Sequence, residues 1–293
     1  MERSKTLYLD RRRWIILAAA SLINLCLGSI YKEWVIGEFV WTGFDYLGEP
    51  TPYDEYWPSR SSYFGICDLA GLPKDRYYLY RSKWQTADHT IHLLPHWTWD
   101  KKRRGQVTPV YCYTDYNEAE LFVNGKSQGR IKKNRAERLD RYRLRWNNVK
   151  YEPGELRVVV YDADGKAAGE QTVKTAGKPA RLQLDAWTQH DQPLLSADGD
   201  DLAFITVSLT DEEGILIPDA NDQLTFEVSG AGSFRAVCNG DATSLESFTQ
   251  PTMRLFSGQL VVVVQAARQR GDLVLTVSDA QRKLTGTITI PVR

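Results

Sequence analysis

Several short patterns in this chain hold residue types that do chemistry, and their spacing decides what each can do. His89, His92 and His96 crowd one segment in the manner of metal ligands. On a strand, His89 and His92 fall on opposite faces, so they do not aim at one ion. Gly125-Lys126-Ser127 has the closing residues of a phosphate-binding loop, but the upstream glycine such a loop requires is replaced by Glu120. The match reads as a hairpin turn. Asp162-Ala163-Asp164-Gly165 and Asp198-Gly199-Asp200-Asp201 copy fragments of a calcium loop. No third ligand and closing glutamate follow at the needed spacing, so both read as turns. The basic stretches Lys101–Arg104 and Lys132–Arg145, the latter interleaved with Glu137 and Asp140, read as solvated loops. Nothing in these patterns calls for a metal or a cofactor.

The elements that must position any site are mostly strands. Residues 34–47, WVIGEFVWTGFDYL, read as a short apolar strand running into a loop, and the Pro-rich EPTPYDEYWPSRSSYFG that follows cannot be regular structure. Pro73-Lys74-Asp75 opens one helix, ending near Trp84. From Val107 onward, VTPVYCYT, AELFVNGKSQGRI, YRLRWNNV and GELRVVVYDADGKAAGEQTV give strands at intervals of roughly ten residues, as in a β-sandwich. Asn124-Gly125 between apolar runs marks a tight hairpin. Ala176-Gly177-Lys178-Pro179 is a compact linker, after which strand periodicity restarts and runs from ARLQLDAW to GTITIPV. The fold class expected is mainly β: two immunoglobulin-like sandwiches behind a strand–loop–helix piece. The divisions expected are 1–31, 32–86, 87–176 and 177–293.

Lys plus Arg number 37 and Asp plus Glu 37, for a net charge of zero. That balance supplies no field to draw in nucleic acid or an anionic membrane. The 9 Trp and 15 Tyr suit sheet cores and sugar-stacking surfaces equally. Residues 1–31 stand apart: Arg11-Arg12-Arg13 precedes the uncharged apolar run Trp14–Ile30. This predicts a leader removed on export to the periplasm or beyond, or else a retained membrane anchor over residues 11–30. Cys26 leaves with the leader, and Cys67, Cys112 and Cys238 are too widely spaced for a CxxC site, so separate thiols are expected.

The segment FVWTGFDYLGEPTPY, followed by SSYFGICDLAGLPKDRYYLYRSKW, resembles the end of the catalytic barrel of family 2 glycoside hydrolases, of the β-galactosidase type. The matching features are Trp41, Gly43, Asp45, the Gly48-Glu49-Pro50-Thr51-Pro52 loop, Gly65, Asp68, Gly71, Lys74 and Trp84. ELFVNGKSQG and DLAFITVSLTDEEG resemble the sandwiches that follow that barrel, so the resemblance covers roughly residues 33–293. It implies that residues 32–86 are a TIM-barrel remnant, Glu38–Tyr46 being the eighth strand with its loop and Lys74–Trp84 the last helix. Loops at the C-terminal ends of barrel strands build the active site. The resemblance then places Trp41 at the floor of a sugar subsite, its indole against the apolar face of a galactosyl-type ring, with Asp45 or Glu49 accepting sugar hydroxyls.

Retaining glycosidases need two carboxyls about 5–5.5 Å apart. In the family both are glutamates on earlier strands, and the acid follows an asparagine. This chain has one Asn-Glu pair, Asn117-Glu118, which falls inside the first sandwich, and Glu38 lacks a partner in matching context. The expectation is a family 2 C-terminal part that is inactive alone, binds a galactoside or related glycan, and works with a missing barrel half or as a homo-oligomer. The alternative is a non-catalytic carbohydrate-binding or structural envelope module.

Overall fold

A computed structural model describes residues 39–49, 60–85, 87–190 and 192–293. The expected leader, Trp34, Val35, Glu38 and the prolines at 50 and 52 lie outside the described residues.

The expected helix is present as α1 (Asp75–Trp84). Asp75 in its first turn and Arg81 and Lys83 in its last complement the helix dipole. Beyond it, β1 (Ile91–Leu94), β2 (Val110–Thr114) and β5 (Leu144–Trp146) form one sheet. The facing sheet has the order β4-β3-β6-β7, from β3 (Glu118–Val123), β4 (Lys126–Lys132), β6 (Glu155–Tyr161) and β7 (Ala167–Lys174). Strand β1 is an addition to the sequence reading, which began its sandwich strands at Val107: IHLL, only 4 residues long, is too short to stand out. The hairpin between β3 and β4 turns on Asn124 and Gly125, with φ 48° and 78°. Two positive φ angles in succession are what a primed turn demands, and Asn-Gly supplies them with little strain.

Alternation along β3 and β6 turns Leu121, Leu156, Val158 and Val160 into the core between these sheets. Trp97 is wholly buried there; it donates through Nε1 to the Glu152 carbonyl at 2.9 Å and meets Tyr151 edge-on. Burying an indole is favourable because its one polar hydrogen finds an acceptor.

The second sandwich runs from β8 (Arg181–Trp187) through β9 (Leu202–Thr210), β10 (Gln223–Gly230), β11 (Gly232–Cys238), β12 (Thr252–Arg254), β13 (Gln259–Ala266) and β14 (Gly271–Asp279) to β15 (Leu284–Val292). Its sheets are β11-β13-β9-β8 and β12-β10-β14-β15, all antiparallel, around a core that includes Ile205, Leu260, Val262 and Leu275. Leu195 pairs in parallel with Val292, so the segment after β8 crosses to the other sheet. Helix α1 rests on the first sandwich: Tyr78 stacks on His92 at 3.8 Å between ring centroids, and His92 Nε2 meets Asp75 Oδ1 at 2.7 Å.

Candidate functional site

Residues 42–48 run between two flanking stretches. On one side, Ile66 N and Cys67 N donate to Thr42 O and Gly43 O at 3.1 and 2.9 Å, and Asp45 N donates to Cys67 O at 3.1 Å. On the other, Ser62 N donates to Tyr46 O at 2.9 Å and Gly48 N to Arg60 O at 3.3 Å. Gly65 allows this packing: a Cβ there would stand 2.3 Å from Asp45 N and 2.4 Å from Cys67 O. Lys74, at the start of α1, reaches back to close the arrangement.

Asp45 is the centre of that closure. Its side chain is 2% exposed; Oδ1 accepts from Gly65 N at 2.8 Å and Oδ2 pairs with Lys74 Nζ at 2.6 Å. Both oxygens are therefore engaged inside the protein. A buried carboxylate needs such partners, because removing it from water unpaired is costly. Asp68, another of the matching residues, accepts from Ala70 N and Leu72 N at 2.9 Å each through Oδ1, folding the turn that contains Gly71 (φ 87°). Burial pushes the Asp68 carboxyl up to about 6 against those two hydrogen bonds.

Trp41 and Glu49 point the other way. Trp41 is 61% exposed, and its Nε1 donates to Tyr46 OH at 3.1 Å, with the two rings edge-to-face. The Tyr46 hydroxyl in turn donates to Glu49 Oε2, a contact that holds the phenol above its ordinary pKa. An exposed indole face and an exposed carboxylate are thus fixed relative to each other by one tyrosine. Such a pair can stack on the apolar side of a sugar and accept its hydroxyl hydrogens. Tyr46 was not singled out by the sequence reading. A phenol inside a loop between a tryptophan and a glutamate carries no signal until the loop folds.

Other clusters in the molecule have structural explanations. His89 pairs with Asp115, His92 with Asp75, and His96 stacks on Trp99, so the three histidines diverge. No group of three metal-capable side chains converges among the described residues. Asp162 accepts from Asp164 N and Lys166 N, and Asp198 from Asp200 N and Asp201 N, as turn aspartates do. Ser196, His190 and Asp201 are the residue types of a catalytic triad. However, Ser196 Oγ (3.4 Å) and Asp201 Oδ2 (3.0 Å) both face the same nitrogen, His190 Nε2, and a relay needs one partner on each nitrogen. Glu118 is bound on β3 by Arg130 at 2.7 Å and Lys132 at 3.4 Å, an ion pair on a strand surface. Cys67, Cys112 and Cys238 are free thiols.

Residues 188–287 match the family described as glycoside hydrolase family 2 C-terminal domain 5, and residues 105–169 match a domain of unknown function, DUF4982. A β-galactosidase of Bacteroides ovatus is 46% identical over 248 residues, covering 84% of this chain and 27% of that protein. The chain belongs to glycoside hydrolase family 2, as part of its C-terminal region. A β-glycosidase from Bacteroides vulgatus superposes with a TM-score of 0.77 at 35% identity, over 88% of this chain and 31% of that one. A β-glucuronidase of Formosa agariphila is 28% identical over 175 residues, covering 60% of this chain and 17% of that protein. The chain thus spans less than a third of each of these relatives.

Within the family 2 frame, the matching residues divide by task. Gly65, Asp68, Gly71 and Lys74 build the support described above. Trp41 and Glu49 are what that support presents to solvent, and Asp45 contributes by fixing the segment that carries them.

Proposed function

We propose that this chain carries part of the sugar-facing end of a β-galactosidase-like glycoside hydrolase, exported from the cytoplasm, and that it hydrolyses O-glycosidic bonds only together with the barrel strands bearing the two catalytic glutamates. The observation that carries this reading is the Trp41–Tyr46–Glu49 arrangement: an exposed indole and carboxylate held in register at the end of a barrel-type segment. Binding alone gives no turnover, because cleavage needs a proton donor and a nucleophile on opposite sides of the anomeric carbon. The sole Asn-Glu pair of the sequence puts its glutamate in an ion pair on β3. Phe39, Phe44 and Leu47 are exposed apolar side chains on the same segment, suited to packing against a barrel interior.

Glu49 also bears on the sugar. A glucuronide carries a carboxylate, which an exposed glutamate repels, and the nearby cations Lys74 and Arg60 are held by Asp45 and the Glu246 carbonyl. A neutral galactoside fits this surface better. The purified chain is expected to leave nitrophenyl β-galactoside unhydrolysed and to bind galactose at about millimolar strength, lost in Trp41→Ala. Turnover that disappears in Asp45→Ala or Glu49→Ala overturns the reading.

A second reading, a non-catalytic carbohydrate-binding or structural envelope module, is favoured by Trp187. It is 64% exposed and pairs across β8 and β9 with Phe204 on the outer face of the second sandwich. Glycan-array binding that survives Trp41→Ala and is lost in Trp187→Ala favours it.

A further inference from the structure

We propose that the loop 239–248 of the second sandwich is a latch that sets the position of the Trp41–Glu49 segment, making Arg60 a positioning residue for that site. The functional consequence rests on the sugar-facing reading above; the latch itself rests on geometry. The loop grips both flanks of residues 42–48. On the first flank, the Arg60 guanidinium lies 4.2 Å from the Phe248 ring centroid and donates through Nη2 to the Glu246 carbonyl, 186 residues away in sequence. The backbone carbonyl of Arg60 itself accepts from Gly48 N, next to Glu49. On the second flank, Asp68 lies against Gly240: a Cβ at that glycine would stand 2.1 Å from Asp68 Oδ2. Asp68 directly follows Cys67, whose backbone holds Gly43 and Asp45. Gly240 has φ 77°, so both the conformation and the close approach demand glycine.

A latch must be stiffer than what it holds, and this loop is tied down repeatedly. Asn239, 4% exposed, donates through Nδ2 to Arg254 O at 3.0 Å, and its Oδ1 accepts from Asp241 N at 3.1 Å. Asp241 Oδ1 accepts from Thr243 N and Thr243 Oγ1 at 2.8 and 2.7 Å. The Glu246 carboxylate accepts from Arg254 N at 3.2 and 3.3 Å and from Gln223 Nε2 at 3.3 Å. Segment 42–48, by contrast, has isolated bridges for its backbone pairing: Phe44 with Cys67 and Leu47 with Ser61. The stiff partner is the terminal sandwich, so the order of Trp41 depends on a domain more than 180 residues further along the chain, as the Arg60–Glu246 separation of 186 shows.

The test uses the full chain labelled with 5-fluorotryptophan, the Trp41 resonance being assigned by its loss in Trp41→Phe. Arg60→Ala is expected to raise amide exchange over 42–48 about ten-fold and to shift or broaden the Trp41 signal. Exchange in β9, β13 and β14 stays unchanged, which shows that the fold is intact. Arg60→Lys keeps a cation over Phe248 and restores most of the protection, a rescue that simple loss of bulk does not produce. Phe248→Leu, which keeps an apolar side chain in place, loosens the same segment. Unchanged exchange and an unchanged Trp41 signal in both Arg60→Ala and Phe248→Leu overturn the latch. If the segment loosens while the wild-type Trp41 signal ignores added galactose, the latch stands and the sugar-facing reading falls.

Discussion

The sandwiches and residues 39–85 hold themselves together with different balances of apolar and polar groups. In the sandwiches, the cores are mostly apolar, with Leu121, Val158 and Trp97 in one and Ile205, Leu260 and Val262 in the other, although polar groups such as Thr114, Asp211 and Asp279 are buried too. In residues 39–85 the buried side chains include Asp45, Ser61, Ser62 and Ser82, while Phe39, Trp41, Phe44 and Leu47 face solvent. An isolated core of that second kind gains little from the hydrophobic effect. Its order comes from hydrogen bonds, the Asp45–Lys74 pair and contacts with both sandwiches. The lesson is that a segment whose large apolar side chains face solvent can still hold a fixed loop, provided polar anchors and neighbouring domains supply the restraint.

The sharpest break of this comparison is a matched pair of truncations. Trp97→Ala opens a cavity in the first sandwich and orphans the Glu152 carbonyl, and should cost about 3–5 kcal/mol of unfolding free energy. Phe44→Ala removes a large apolar ring from the surface and should cost under about 0.5 kcal/mol. Denaturant titrations of both variants decide it. A comparable loss from Phe44→Ala means that the segment has an apolar core after all.

A smaller effect comes from Gly65→Ala. The added methyl meets the backbone of Asp45 and Cys67, neither of which can swing aside as a side chain would. The cost should be about 1–3 kcal/mol, but local. Limited proteolysis should cut within 42–67 faster while the sandwiches' melting is unchanged. A lowered melting temperature of both sandwiches contradicts the view that the segment is held from outside.

Much of the architecture is legible in the sequence because it is written in short-range patterns. Period-2 alternation gave the strands, Asn124-Gly125 gave the primed hairpin, and Pro73-Lys74-Asp75 gave the start of α1. What was hidden is long-range. Strand β1 is recognisable only from its pairing with β2, Ile91 with Thr114 through Leu94 with Tyr111. At the site, the motif residues were visible but not their direction: nothing in FDYLGE says that Asp45 turns inward to Lys74 while Glu49 turns out. Arg60 and Gly240 look like ordinary loop residues until the fold brings Arg60 to Phe248 and Gly240 to Asp68.

The interface between α1 and the first sandwich offers a pH test of the same contrast. Burial, and then the neighbouring Lys83 ammonium, pull Lys133 down to about 7. The unfolded side chain titrates near ~10.4, so the unfolded state binds more protons between these values. The cost of charging Lys133 is therefore fully present below about pH 7 and is relieved as pH rises. Stability from urea titration should climb between about pH 7 and 9.5, and the climb should flatten in Lys133→Met. The groups facing Lys133 include Lys83, Cys112 and Asp115, and its ammonium donates to the Thr114 carbonyl. An unchanged slope in the variant shows that the ammonium reaches water.

The smallest expected change in stability belongs to Tyr46→Phe, and it isolates what the exposed half of the segment does. The hydroxyl accepts from Trp41 Nε1 and donates to Glu49, but all three groups are at the surface, where water replaces a lost partner at little cost. Unfolding free energy should therefore move by less than about 0.5 kcal/mol. Sugar binding should respond more. Without the hydroxyl, the Glu49 carboxylate and the indole lose their common restraint and must be ordered when a ligand arrives, which weakens binding by about two- to ten-fold. The readout is galactose titration of the fluorotryptophan signal of Trp41, compared between Tyr46→Phe and the parent. If stability falls by more than a kilocalorie-scale surface contact allows, while galactose affinity holds, then Tyr46 is a structural member of the segment like Asp45. The division between buried polar anchors and an outward-facing pair would then have to be redrawn with the tyrosine on the anchoring side.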